Sequence, residues 1–178
     1  RRANFHMALL NGTNFQGADL TKTFFSGSDL RGANLNETDC SAAKFHGADL
    51  DGCSFKKATL RKVDFSNFDL RGIDFSETDL RKADFRKSNL EKVNLFRADL
   101  RKTLFTEANL REAYLSSTWL QDTDLQWANL RKAILRYSVN LTPAQIQSAE
   151  IDRETKVPHY LKIHWTSETD FRCEEKTE

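Results

Sequence analysis

Every fifth residue from Phe5 to Leu135 is Leu or Phe, with Cys40 the one exception. Ala83-Asp84-Phe85-Arg86-Lys87-Ser88-Asn89-Leu90-Glu91-Lys92 holds two copies of the underlying phrase: small, Asp or Asn, Leu or Phe, then two polar residues. A period this regular sets the architecture before any local propensity is weighed. Five residues advance an α-helix by about 500°, which leaves successive apolar side chains roughly 140° out of phase. A flat strand fails as well, because its side chains alternate with period two and five is odd. The small residue and the Leu or Phe two places later can share the inner face of a short extended segment. Reaching the next small residue, three places on, requires a corner. A chain that turns every five residues is a coil with an interior.

A longer period sets the number of sides. Phe5, Phe25, Phe45, Phe65, Phe85 and Phe105 stand twenty apart, as do Leu10, Leu30, Leu50, Leu70, Leu90, Leu110 and Leu130. A fifteen-residue turn would set Phe5 beneath Leu20 and mix these columns, so the coil has twenty residues and four sides. The Phe and Leu columns are its core. With adjacent coils ~4.8 Å apart, nearly seven coils make a rod about 33 Å long.

Gly17-Ala18-Asp19-Leu20, Gly47-Ala48-Asp49-Leu50 and Arg97-Ala98-Asp99-Leu100 match the A(D/N)LXX repeat of the pentapeptide-repeat proteins. The chain resembles that family over roughly residues 3–139. The resemblance implies an all-β solenoid, a right-handed quadrilateral β-helix of about seven coils with a short C-terminal α-helix as its cap. On this reading residues 1–140 are the β-helix, 141–165 a helical and extended cap, and 166–178 a polar tail that frays.

All seven glycines fall two places after a central Leu or Phe, at a corner where a type II turn demands positive φ. Beyond Gly72 that place carries Lys82, Lys87, Lys92, Lys102, Glu107 and Glu112. The second half is therefore expected to turn its corners by a conformation that dispenses with glycine. Phe68 and Ile73, with Val63 before them, break the small column and predict a local bulge. Leu141-Thr142-Pro143-Ala144-Gln145-Ile146 reads as a helix start. Thr142 is the N-cap, Gln145 closes a capping box, and Pro143 suits the first helical position. Such a lid covers the core that a solenoid's last repeat otherwise exposes. No lid is legible at the N-terminal end, where Phe5 and Leu10 predict either a homodimer through the rod end or a longer natural protein.

Charge and chemistry narrow the function classes. Net charge is +1, with 7 Lys/Arg against 6 Asp/Glu in residues 1–60, 15 against 12 in 61–136, and 5 against 8 beyond. Such a balance argues against direct nucleic-acid binding. No apolar run reaches membrane-spanning length, so this segment is not expected to insert. Cys40 replaces an inward Leu and Cys53 an inward small residue, so both read as buried, reduced thiols. With Cys173 in the polar tail, they suggest a cytoplasmic setting. His6 and His46 share a side but stand two coils, about 9.6 Å, apart, too far to share a zinc ion. No nucleophile constellation or phosphate loop is present either. The chain is read as no enzyme, with no cofactor and no metal.

Two surface features are left for a partner. On the fourth side Arg61-Lys62, Arg81-Lys82 and Arg101-Lys102 recur every twenty residues and stack into a basic ladder, with Asp79 and Asp99 as partial counter-charges. It is either a solvated face or an anion-docking strip. Phe96, Tyr114, Trp119 and Trp127, with Tyr137, put aromatics on the outside of the last coils. Either the C-terminal segment folds back over them or a partner covers them. The leading reading is a non-enzymatic, rigid protein-interaction scaffold whose protein partner is unidentified. Some members of the resembled family protect DNA gyrase as mimics of B-form DNA, so a gyrase- or topoisomerase-interacting protein is the alternative. Asp29, Asp49 and Asp69 form a short acidic column, but Arg31 and Arg71 interrupt it. A soluble accessory domain of a larger protein, membrane-attached or not, is the third reading.

Overall fold

The computed structural model describes residues 2–176. From Asn4 to Val139 the residue before each central Leu or Phe bridges in parallel to its equivalent twenty residues on, as in Asn4↔Phe24, Asp79↔Asp99 and Trp119↔Val139, except at Lys44 and Asp49. One turn of the coil is therefore twenty residues. We number its sides by their central residues: first Phe5 and Phe25, second Leu10 and Leu30, third Phe15 and Leu35, fourth Leu20 and Cys40.

Each residue type in the repeat has a bond to make. The central Phe85 donates its N–H to the Leu104 carbonyl of the next coil at 2.8 Å, and the corner residue Lys87 donates to Thr106 at 3.0 Å. The small Ser88 closes the turn onto the Phe85 carbonyl at 3.1 Å. The Asp or Asn carboxamide or carboxylate then holds the corner from outside: Asp84 Oδ1 accepts from Arg86 N–H at 3.0 Å, and Asn94 Oδ1 from Phe96 N–H at 3.1 Å. These are the local side-chain bonds that make Asx residues turn formers.

The lumen is dry and columnar. Phe25, Phe45, Phe65, Phe85 and Phe105 stack with ring centroids 5.1 Å to 5.5 Å apart, and Leu30, Leu50, Leu70, Leu90, Leu110 and Leu130 fill the second side. Phe5, Leu10 and Phe15 are only partly buried.

The corners correct one expectation. Positive φ does not stop with the glycines: Gly72 has φ 67°, Lys82 61°, Lys102 61° and Glu112 58°. The same left-handed corner is used along the whole rod. It turns the corner N–H along the rod axis, where it reaches the next coil, as Lys82 N–H reaches the Arg101 carbonyl at 3.2 Å. That bond offsets the ~1–2 kcal/mol an L-residue gives up in this conformation.

At Phe68 the rod opens. No bridge joins Lys44 to Asp64 or Asp49 to Asp69. Among the described residues, the N–H groups of Phe45, Gly47, Leu50 and Gly52 find no carbonyl on the following coil. The third and fourth sides stay closed there through Ser54↔Asp74 and Thr59↔Asp79. A column sized for Ala48 and Ser88 has to admit a phenyl ring, so the first two sides part. Outside the gap lies a cleft of about 360 Å³ lined by Asp49, Asp51, Asp69, Arg71 and Ile73.

Beyond Val139 the chain turns across the rod end. Helix α1 (Pro143–Gln147) starts at Thr142, whose hydroxyl and backbone exchange bonds with Gln145 in a capping box. Gln145 Nε2 also donates to the Leu120 and Thr123 carbonyls at 2.9 Å and 2.7 Å. Leu141, Ile146 and Ile151 are buried against the core. Strand β1 (Leu161–Trp165) pairs antiparallel with β2 (Phe171–Glu175), Trp165 opposite Phe171 and Leu161 opposite Glu175. This corrects the frayed tail expected over 166–178. Phe171 and Cys173 alternate with Arg172 and Glu174, a period of two that lets Cys173 bury and sets the Phe171 ring 5.4 Å from Trp165. Residues 177 and 178 lie outside the described residues.

Candidate partner-binding face

The fourth side is organised by its two carboxylates. Asp79 Oδ2 accepts from Arg81 Nη2 at 2.7 Å and from Arg61 Nε at 2.6 Å. Asp99 Oδ2 takes Arg101 Nη2 at 2.6 Å, with Arg81 Nε 3.4 Å away. Arg61, Arg81 and Arg101 therefore lie flat along the side, with an acid between each pair. Burial pushes the Asp79 carboxyl up, but the hydrogen bonds from Arg81 and Arg61 more than reverse this and leave it below the ordinary value. The bond to Asp99 raises Arg101 in turn. Two carboxylates thus offset most of the charge of the three arginines in this half of the expected basic ladder.

The lysines are not so offset. Lys62, Lys82 and Lys102 stand at consecutive corners with φ of 59°, 61° and 61°, and all three are exposed. Among the described residues, no carboxylate oxygen comes within 4.0 Å of their ammonium groups. Other corners alternate in sign along the rod: Lys87 meets Glu107 and Lys92 meets Glu112, each at 3.8 Å. The fourth-side corner is where lysine stacks on lysine on lysine.

The aromatics divide. Trp119 sits on the fourth side above Asp99, half exposed at 50 %, with the Arg101 guanidinium 4.9 Å over its ring. Val139, which the sequence reading passed over, continues the same column and is exposed. Phe96 and Tyr114 stack on the third side at 5.6 Å, and Trp127 occupies a corner after the first side. The C-terminal segment does not cover Tyr114, Trp119 or Trp127, because α1 turns inward over the core. Trp119 thus shares the fourth side with Arg101, on the coil whose corner is Asp122, and the other aromatics lie elsewhere.

On the second side Arg31 binds Asp29 through Nε and Nη2 at 2.9 Å and 2.7 Å, and Arg71 holds Asp69 in the same way. The side-chain bond from Arg31 pulls the Asp29 carboxyl down to about 2. Among the described residues no cluster of His, Cys, Asp and Glu is placed to hold a metal, and no helix is long and apolar enough to cross a membrane.

Two family models match the chain. One, a pentapeptide repeat region, covers residues 18–95 and 39–115; the other, pentapeptide repeats in 8 copies, covers 108–138. The chain belongs to the pentapeptide-repeat family. No curated protein matches it. Several solved pentapeptide-repeat proteins do. A trypsin-treated form of QnrB1, a plasmid-mediated fluoroquinolone resistance protein, is 20% identical with a TM-score of 0.55, over 89% of this chain and 90% of that one. HetL, involved in heterocyst differentiation regulation in the cyanobacterium Nostoc sp. strain PCC 7120, is 28% identical over 88% of this chain and 70% of its own, with a TM-score of 0.37. Rfr23 from the cyanobacterium Cyanothece 51142 is 23% identical over 84% and 90%, at 0.31. The likeness to QnrB1 shows the shared quadrilateral pentapeptide-repeat fold.

Proposed function

We propose that this pentapeptide-repeat protein is a non-enzymatic, rigid scaffold that presents its fourth side to a protein partner. One observation carries the reading: exposed lysines with no carboxylate partner among the described residues run beside an Arg/Asp ladder whose Arg101 lies over the half-exposed Trp119. A half-exposed tryptophan is the kind of anchor that interfaces favour, and a line of charge beside it sets a partner's approach and register. In this reading about seven coils form the rod at twenty residues each. The segment from Leu141 closes its C-terminal end, with Gln145 occupying the Thr123 carbonyl that a further coil would otherwise engage. The buried free thiols of Cys40, Cys53 and Cys173 support a reducing, cytoplasmic setting. A photo-crosslinking residue in place of Lys102 should give a discrete protein adduct in cells that the same probe at Lys92 does not. Equal adducts, or none, remove the fourth side as the docking face.

A second reading rests on the opposite end, where Met7, Leu9 (83 % exposed) and Phe24 form an apolar patch beside Phe5 and Leu10. That patch supports an end-to-end contact between two copies. Light scattering should then show a dimer that Leu9→Lys converts to monomer. The gyrase-interacting alternative has less support, since Arg31 and Arg71 neutralise the acidic column that a duplex mimic needs. A supercoiling assay with gyrase, in which the protein neither inhibits nor protects, would remove it.

A further inference from the structure

We propose that the corner column Lys62–Lys82–Lys102, with Trp119 on the adjoining fourth side one coil further on, receives an amphipathic α-helix carrying a stripe of Asp or Glu. This rests on the fourth-side reading above and adds the class of partner. The pitch of the column decides among acidic partners. Equivalent corners are one coil apart, ~4.8 Å, so the three ammonium groups are anchored over about 9.6 Å. Carboxylates at i, i+3 and i+7 of a helix step by about 4.5 Å and 6 Å, about 10.5 Å in all, within reach of a lysine stem at every position. Same-face residues of an extended strand step by ~6.7 Å and outrun the column by the third contact. Duplex DNA offers one phosphate per strand every ~3.4 Å of its axis, on a path that winds round that axis, out of step with lysines in single file.

The surroundings leave these lysines available and bias them outward. Arg61, Arg81 and Arg101 already hold Asp79 and Asp99, whereas the lysines hold no carboxylate among the described residues. On the other flank of the corner Asp84 is held by Arg86, and Asp64 accepts from the Ser66 hydroxyl at 2.7 Å. Asp122 takes the next corner beyond Lys102 and ends the positive column there. Like charges ~5 Å apart repel, and an acidic stripe laid along them relieves that repulsion. Trp119 and Val139 then offer the apolar flank of the helix a landing place on the same side.

The test uses a labelled synthetic helix of about 20 residues with Glu at i, i+3 and i+7 and Leu beside the stripe, read by fluorescence anisotropy at low salt. The parent protein should bind it, and added salt should weaken binding. The triple variant Lys62→Gln, Lys82→Gln, Lys102→Gln should lose about tenfold in affinity and Trp119→Ala about threefold, with circular dichroism spectra unchanged. A peptide broken by a central proline should bind at least about tenfold more weakly. The proposal is overturned if the lysine variants bind as well as the parent, or if the broken peptide or a duplex DNA of equal charge binds more tightly. A fourth-side crosslink in cells together with failure of the helix probe would leave the scaffold reading standing and remove this one.

Discussion

Phe68 stands edge-on to Phe65, ring centroids 5.8 Å apart and planes at 84°, and the coil beneath the pair has parted from it on two sides. The ring occupies a place where neighbouring coils carry Ala48 and Ser88. Phe68 is partly buried, so its removal gives up about 2 kcal/mol of apolar burial. Reclosed backbone bonds return ~0.5–1.5 kcal/mol each.

Four N–H groups wait at that gap, those of Phe45, Gly47, Leu50 and Gly52. Phe68→Ala is therefore expected to leave stability unchanged or raise it by about 1–2 kcal/mol, where an ordinary Phe→Ala in a core costs ~3–5 kcal/mol. Amide hydrogen exchange should slow at those four positions. A loss of more than about 3 kcal/mol, with exchange unaltered, would contradict this account of the opening.

The left-handed corners supply a second expectation. Lys57 has φ 58°, is exposed, and has no ion pair among the described residues. Lys57→Gly should raise the urea midpoint by an amount worth up to about 1 kcal/mol, and Lys57→Val should lower it by about 1–2 kcal/mol. Equal effects from the two substitutions would show that the corner is not strained.

Acid should weaken the rod modestly in a definite window. Asp29, Asp69 and Asp84 are held below the ordinary carboxylate range chiefly by side-chain bonds from Arg31, Arg71 and Arg86. A depressed folded pKa means that the stabilisation is complete above the unfolded value, about 4, and is lost as pH falls through the folded one. For Asp29 that lower limit is about 2. Carbon NMR titration should follow its carboxyl to about 2 in the parent. In Arg31→Gln it should titrate near the ordinary ~4. A titration in Arg31→Gln identical to the parent would mean that the pair does not form in solution.

Thiol chemistry reports on the lumen. Burial pushes the thiols of Cys40 and Cys53 up to about 12, and Cys173 to about 11. None should react with a neutral-pH alkylating reagent until the chain unfolds, so mass spectrometry across a urea series should show labelling that tracks the loss of structure. Rapid modification of Cys40 in the native protein would place it outside the core.

The fold was legible because its two periods are backbone periods. Five residues between Phe85 and Leu90 and twenty between Phe85 and Phe105 leave few ways to fill a lumen. Corner conformation was less legible: Lys82 takes the shape of Gly72 because of a bond to Arg101 one coil away, a non-local compensation that residue type does not announce. The terminal hairpin was hidden in the same sense, since Phe171 and Cys173 are two apolar residues in a polar stretch and acquire meaning only opposite Leu161–Trp165. At the candidate site the sequence put Arg81 and Lys82 side by side as equals. Side-chain direction separates them, one folded down onto Asp79 and the other left at the corner.

In a one-dimensional array each coil is steadied by its two neighbours alone, so cooperativity is transmitted only as well as its poorest junction allows. The seam at Phe68, fastened on two edges and unlatched on the other two, is that junction. A pull or twist applied at either end should therefore be spent there first, as at a leaf hinge between two stiffer segments.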